Sequence, residues 1–563
     1  MLCHRCRQRG LWALASGLVV GALLAAEAQA APASPVPAAD LAGYAADGSP
    51  DLSAAPSHHR HKPPPVPRSS PPICPDDGQP ALSPAEVTSL AQAAAGVVAA
   101  PPSPPMTVAV VDRAGNVLGV YRQAGATGAN DDLAIGLART GAFFSNDHAP
   151  LSSRTVRFIS GIHFPPGIAN TPNAALYGIE ETNRGCDLGI TFNSKSQEVP
   201  PAGSFVPGIC NAANTAGCGT GPVTGKKDLF DSDPNAVNPG GLPLFRGTAV
   251  VGGIGVAGTG LSPAEAEFAA VTAAANASPA SGAINFLFGG SLPTEAVFIN
   301  GVRLPFVKQT QPPAGTTVGP PSGGFVPPGP VNNGACVPNG YLAGPAAGTQ
   351  LSAAEVDQVV QQAVAGASRT RAQIRLPLGS RARMAIAVSD LDGTILALYR
   401  MPDATVFSID VAVAKSRNVV YFSGGSPQAA SDLPGVPAGF AVSNRTIGFG
   451  AQPLYPPGID GSGAGPFFGL FQSDAANPCT QGSQTANPQH QSGIVFFPGS
   501  VPLYRGSQLI GGLGVSGDGV DQDDYVTFLG AQGFLPPTSL WADNLFVEGV
   551  RLPFLKFPRN PEQ

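Results

Sequence analysis

Charge is scarce in this chain. Only 12% of its 563 residues are Asp, Glu, Lys or Arg, about half the ~25% of an ordinary soluble domain. Hydrophobic residues make up 43%, too many for a highly charged disordered polymer. The shortage of Glu, Lys and Arg also argues against a long-helix or coiled-coil protein. A net charge of −6 offers no basic surface to a phosphate backbone, which sets nucleic acid aside as a partner. Beyond residue 30 no stretch reaches the ~20 apolar residues of a spanning helix, so no membrane span is expected. No two cysteines outside the first 30 residues have CxxC spacing, which removes zinc-ribbon and thioredoxin-type sites. Glycine and proline are plentiful instead, at 71 and 60 residues.

The first 30 residues read as a secretory signal. Arg5, Arg7 and Arg9 form its positive start, Leu11 to Ala26 its short apolar run, and Ala28-Gln29-Ala30 its small-residue cleavage site. Glu27 ends the run before it could anchor in a membrane, and no Cys follows to carry a lipid. The chain is therefore expected to be secreted or periplasmic. Removal of this segment leaves Cys74, Cys186, Cys210, Cys218, Cys336 and Cys479. An even count in an exported chain points to disulfides, with fifteen pairings open. The expected arrangement ties each leader to its own domain, Cys336 to Cys479 and Cys74 to a loop cysteine nearby.

Internal repetition decides the architecture. Thr107–Asp112 recurs as Ala385–Asp390, and Gly115–Arg122 (GNVLGVYR) as Gly393–Arg400 (GTILALYR). Arg154-Thr155 and Pro165–Ile168 return as Arg445-Thr446 and Pro456–Ile459. Pro243–Gly247 returns as Pro502–Gly506, and Phe298–Lys308 (FINGVRLPFVK) as Phe546–Lys556 (FVEGVRLPFLK). The same order in both places defines a tandem duplication, 82–308 and 351–556. Between and before the copies, 31–81 and 309–350 have the Pro/Gly composition of extended spacers, and 557–563 is a short tail. The copies are expected to pack together as an internal pseudo-dimer, with further self-association open.

Within each copy, Ser83–Glu86 and Ser352–Glu355 are capping boxes that open a helix. Met106–Val111 and Met384–Val388 are near-continuous apolar runs, as strands covered on both faces require. Turns at Gly115 and Gly393 make each run half of a hairpin, and Asp132–Ala142 and Asp410–Val420 read as helices. Gly-rich strands follow at Ala249–Val256 and Gln508–Val515, then another helix, in copy one through Ser262–Glu265. The fold class is α+β: tandem α-β-α sandwiches, each a mainly antiparallel sheet flanked by helices.

Gly253, Gly255 and Gly258, like Gly512, Gly514 and Gly517, satisfy the GxGxxG spacing of a dinucleotide fingerprint. Their late position in each copy, after hairpins and without a strand-end acid ~20 residues on, argues against that use. The alternative is a strand whose missing side chains admit a helix or a ligand. The ordered set as a whole resembles the GlcG/HbpS-like haem-binding family, which includes the C-terminal domain of PduO-type proteins: an opening helix, a VAVVD hairpin ending in Arg, and the block PLYRG…IGGLGVSGDGVDQDD. Copy two is the closer, with Gly514–Gly517 and Gln522–Asp524. The resemblance implies an α-β-α sandwich that often oligomerises, and in some members a bound haem or related tetrapyrrole.

Haem asks for an apolar slot, an axial ligand and a cation near its propionates. None of the seven His is shared by both copies. His163, just before the PPGI block of copy one, and His148 are candidate axial ligands confined to that copy, or else surface or loop residues; His148 and His490 fall in copy-specific loops. Tyr121 and Tyr399 are duplicated and are phenolate candidates, or else strand residues packing their rings. Arg122/Arg400, Arg246/Arg505 and Arg303/Arg551 are duplicated cations able to grip carboxylates in pairs of bonds, or to pair with Asp112/Asp390 or Asp132/Asp410. Gly255, Gly258, Gly514 and Gly517 are the expected bare wall of the slot. His58, His59 and His61 form the one His cluster, able to take up metal or haem loosely from a solvated leader. Asp518, Asp521, Asp523 and Asp524 suit a cation or the start of a helix. Without a repeated Ser-His-Asp or Cys-His set, or GxSxG in the Gly-rich blocks, hydrolase chemistry has no basis. The reading is an exported protein binding haem or another small apolar ligand, more binding protein than enzyme. The alternatives are a small-molecule or haem-degrading redox enzyme using the same pocket, and a structural envelope module.

Overall fold

The computed structural model describes residues 82–179, 186, 188, 238–276, 284–285, 296–331, 337–477, 479–487 and 489–563, all within the compact unit Pro65–Gln563. The signal segment, the leader with His58, His59 and His61, and Cys74, Cys210, Cys218 and Cys336 lie outside the described residues.

Copy one runs α1 (Pro84–Ala95), β1 (Val97–Val98), β2 (Thr107–Asp112), β3 (Val117–Arg122), α2 (Asp131–Phe144), α3 (Ser153–Phe158), β4 (Gly241–Arg246), β5 (Ala249–Ala257), α4 (Pro263–Asn276), β6 (Ile284–Asn285), β7 (Phe298–Ile299) and β8 (Val302–Arg303). Three short strands follow: β9 (Thr317–Val318), β10 (Gly324–Phe325) and β11 (Gly340–Ala343). Copy two then runs α5 (Ala353–Ala367), β12 (Ala385–Ser389), β13 (Ile395–Arg400), α6 (Phe407–Ser423), α7 (Pro427–Asp432), α8 (Asn444–Gly450), α9 (Phe468–Ala476), β14 (Ser500–Arg505), β15 (Gln508–Ser516), α10 (Val520–Gly530), β16 (Phe546–Val547) and β17 (Val550–Arg551).

Each copy builds one antiparallel sheet, ordered β10-β3-β2-β5-β4-β6 in the first and β11-β13-β12-β15-β14 in the second. The central strand β2 is buried throughout because alternate side chains serve opposite faces. Val108 and Val110 pack with α1 and α4; Ala109 and Val111 face the α2 side. Copy two repeats this, with Ile386 and Val388 toward α5 and α10 and Ala385 and Ala387 toward α6. This is the α-β-α sandwich expected, twice over. Both capping boxes form, with the Ser83 and Ser352 hydroxyls accepting from the Glu86 and Glu355 amides.

Glycine explains how the helices approach. A Cβ on Gly253 or Gly255 would collide with the carbonyls of Ala138 and Ala134 in α2. On Gly512 or Gly514 it would strike those of Ser416 and Ala412 in α6. Backbone lies on backbone here, which only glycine allows.

Two expectations are corrected. The stretch 309–350 is no loose spacer: β10 pairs with β3, β9 with β1, and β11 with β13, so it edges both sheets. The disulfide joins the two copies, Cys186 to Cys479, which excludes Cys336–Cys479. Loops of different copies meet because the copies share a core. One hydrophobic cluster contains Phe143 and Phe144 with Phe407 and Ile409, and Phe144 stacks on Phe407 at 4.2 Å between centroids. Tyr177 stacks on Phe471 at 5.2 Å, and the Val406 amide donates to the Phe143 carbonyl.

Candidate functional site

The expected slot at the glycines is filled. α2 and α6 cover Gly255 and Gly514, while Gly258 faces the Pro105 carbonyl and Gly517 the Arg383 carbonyl and Met384 sulfur. Tyr121 is buried edge-on to Phe325 at 5.1 Å. Tyr399 is buried edge-on to Tyr341 at 5.0 Å, and its burial raises its pKa, which opposes the phenolate a metal needs.

The duplicated arginines hold the fold's own groups. Arg122 pairs with Asp131. Arg246 reaches Glu86 at 3.0 Å and Arg505 reaches Glu355 at 2.6 Å, each tying a strand end to the capping box of the helix above. Arg400 donates to the carbonyls of Ala404 and Val337 and to Asn339 Oδ1. Burial, with Arg113 nearby, pushes Arg400 down to about 9. His163 is committed too: Nδ1 meets the Thr171 carbonyl at 3.1 Å and Nε2 meets Asp460 of copy two at 3.2 Å. It clamps the two PPGI loops. His148 is exposed.

The acidic run serves salt bridges. Arg375 binds Asp518 at 2.8 Å, Lys415 binds Asp523 at 3.0 Å, and Arg445 binds Asp521 and Asp524. Copy one keeps the last of these as Arg154–Glu267, at 2.7 Å. Among the described residues no group of three or more His, Cys, Asp or Glu is placed to hold a metal ion.

A cavity of about 630 Å³ lies in copy two, within the ~300–1,000 Å³ range of small-molecule sites. Four pieces form it: the α6 face with Arg417, Val420 and Tyr421, the turn into α7 with Gly424, Ser426 and Gln428, the β12–β13 turn at Leu391–Gly393, and loop residues between Gln481 and Asn487 with His490 and Gln491. Gly393 has φ +87°, and a Cβ there would strike the His490 carbonyl, so the glycine turn seats this loop. Arg417, almost fully buried, fastens the pieces by donating to the carbonyls of Gly393 (2.8 Å), Gln489 (2.6 Å) and Leu188 of copy one (3.2 Å). Gln491 holds the loop's curvature, donating to the Thr485 carbonyl and accepting from the Asn487 amide. Tyr421 and Ser483 both donate to Asp432.

His490 is the ligand-type side chain of this cavity. Its Nδ1 lies 2.9 Å from the Asp392 carbonyl and 3.6 Å from the Asp392 carboxylate. A carbonyl only accepts, so Nδ1 carries the proton and, in the neutral ring, Nε2 keeps its lone pair. Burial raises the Asp392 pKa, but the Thr394 amide and hydroxyl and His490 outweigh it and hold the carboxyl below its usual value. A His fixed through one nitrogen with the other available is the arrangement metal-binding histidines use. Sequence reasoning passed over His490 because its loop has no counterpart in the repeat. Arg417 was missed as well, although the repeat carries a signal for it: Arg139 stands at the same place in copy one and likewise donates to a turn glycine, the Gly115 carbonyl at 2.9 Å.

The sequence model of the HbpS-like family, described as haem degrading protein HbpS-like, matches residues 82–275 and 351–531. The chain belongs to this family, carrying it twice. Among solved structures, it is similar to one described as the crystal structure of the PduOC:heme complex, with 22% identity, 33% of this chain and 96% of that chain covered, and a TM-score of 0.22. It is also similar to Klebsiella pneumoniae protein ORFY of the DUF336 family, with 20% identity, 32% and 86% coverage, and a TM-score of 0.20. No curated protein matches it.

Proposed function

We propose that the chain is an exported haem-binding protein, acting in sequestration, sensing or redox protection rather than turnover, and that the copy-two cavity holds the haem through His490 Nε2. The observation that carries this reading is the His490 geometry: a ring fixed by the Asp392 carbonyl at the wall of a cavity of sufficient size. Family membership supplies the ligand class. The cavity offers room and a ligand-type nitrogen, while its lining is mostly polar. Leu391, Val420 and the Tyr421 ring offer apolar contact, and the amides of Gln428, Gln484 and Asn487 are donors suited to propionates. Bound haem supplies a redox-active iron, and the chain's part is to orient His490 and to shield it. The signal-like first 30 residues support export, as does the inter-copy disulfide. No helix among the described residues is long and apolar enough to cross a membrane.

Titrating haemin into the purified protein tests the assignment. A Soret band saturating near one equivalent is expected. His490→Ala abolishes or shifts it, and His163→Ala leaves its position unchanged. An unaltered band in His490→Ala refutes the ligand. The family description favours a second reading, a haem-degrading enzyme; decay of the band on adding a reductant would establish turnover in the same pocket.

A further inference from the structure

A second cavity, of about 430 Å³, opens between α3 and the β7–β8 hairpin of copy one. Its walls are apolar: Phe158 from α3, Val297, Leu304 and Phe306 from the hairpin and its flanks, and Leu376 from copy two. The nearby backbone is already satisfied, because Thr155 donates to the Pro305 carbonyl at 2.6 Å and Ser152 donates to that of Phe306. That leaves one charged lining side chain among the described residues, Arg303. It is exposed, and no described carboxylate pairs with it. The corresponding Arg551 of copy two is spoken for: it donates to the Asp543 carbonyl at 2.6 Å and pairs with its carboxylate at 3.3 Å. There Trp541 lies 4.9 Å from Phe554, the counterpart of Phe306.

We infer that this cavity binds an amphipathic carboxylate, an aliphatic or aromatic acid whose apolar body enters between Phe158, Phe306 and Leu376 while its carboxylate meets Arg303. Apolar walls favour the body through water exclusion. A guanidinium at the rim selects a planar anion, which it can bind with two parallel bonds. A neutral alcohol of the same length keeps the first contribution and loses the second. The site contains no His, Tyr, Cys or Met, so it is distinct from the haem reading and stands without it.

Isothermal titration of the full-length protein with decanoate tests this. One equivalent is expected to bind, with decanol at least tenfold weaker. Arg303→Gln should bring decanoate down to the affinity of decanol, while Arg551→Gln leaves it unchanged. Val297→Trp, checked for folding by near-ultraviolet circular dichroism, should remove binding by filling the cavity. The inference is overturned if decanoate gives no saturable heat, if Arg303→Gln binds it as the wild type does, or if haemin displaces it equivalent for equivalent.

Discussion

A glycine in a strand is ambiguous until its neighbour is known. Gly514 has an ordinary strand backbone, and what it lacks is room: Ala412 and Ser416 of α6 lie where a side chain would begin. The opposite reading, a bare wall for a flat ligand, makes a different prediction, so the two separate cleanly. Gly514→Ala must push α6 off the sheet or strain the strand, a cost of roughly 1–3 kcal/mol for overpacking of this kind. The urea midpoint is expected to fall, while the haem affinity of the folded fraction stays as it was. A loss of haem affinity at unchanged stability would return Gly514 to the ligand site.

At the scale of elements, α6 and α10 carry a buried ion pair that their copy-one counterparts lack. Lys415 donates to Asp523 and to the Val515 carbonyl, and its ammonium lies 5.0 Å from the centre of the Phe497 ring. In copy one, Leu137 and Ala266 hold these places beside Gly241 and Gly240. Burial pushes Asp523 up to about 7 even with Lys415 opposing it. A raised acid stabilises the fold fully below its unfolded value of ~3.9, and that contribution drains away as pH rises toward 7. Asp523→Ala alone strands the buried Lys415 ammonium, at a cost of roughly 3–5 kcal/mol, whereas Lys415→Leu leaves a carboxyl that takes up a proton and loses its partner. The double variant adopts the copy-one solution and is expected near or above wild-type stability, with a flatter slope between pH 4 and pH 7 in urea unfolding. Two additive losses would show that the pair is not the unit.

Much of this layer was legible in the chain. The capping boxes, the doubly buried strands and the repeated blocks each follow from local chemistry that a sequence displays. The strands β9, β10 and β11 were hidden, because residues such as Gly324 and Phe325 carry no pattern of their own and pair only where a sheet edge meets them. His490 was hidden for a related reason: its position depends on Gly393 and Arg417, far away in sequence. The acidic run was visible, but the basic partners that consume it come from α6, α8 and the stretch before β12.

For the whole molecule, the decisive feature is that the two repeats share a hydrophobic cluster and, among the described residues, a disulfide. Cys186 and Cys479 are 293 residues apart, and Cys479 lies just before the segment that lines the copy-two cavity. The bridge therefore does two things. It limits the unfolded chain, for which roughly 2–4 kcal/mol is typical, and it fixes the base of the loop that presents His490. Cys186→Ser with Cys479→Ser is expected to lower the urea midpoint by that order. It should also speed haemin dissociation, because the loop keeps Arg417 and Gln491 but loses its tether. Mild reduction of the wild type should reproduce both effects, whereas reduction of the double variant should add nothing in that region. Were dissociation unchanged while stability fell, the bridge would be a staple for the pair of domains alone, and the cavity roof would stand on its hydrogen bonds.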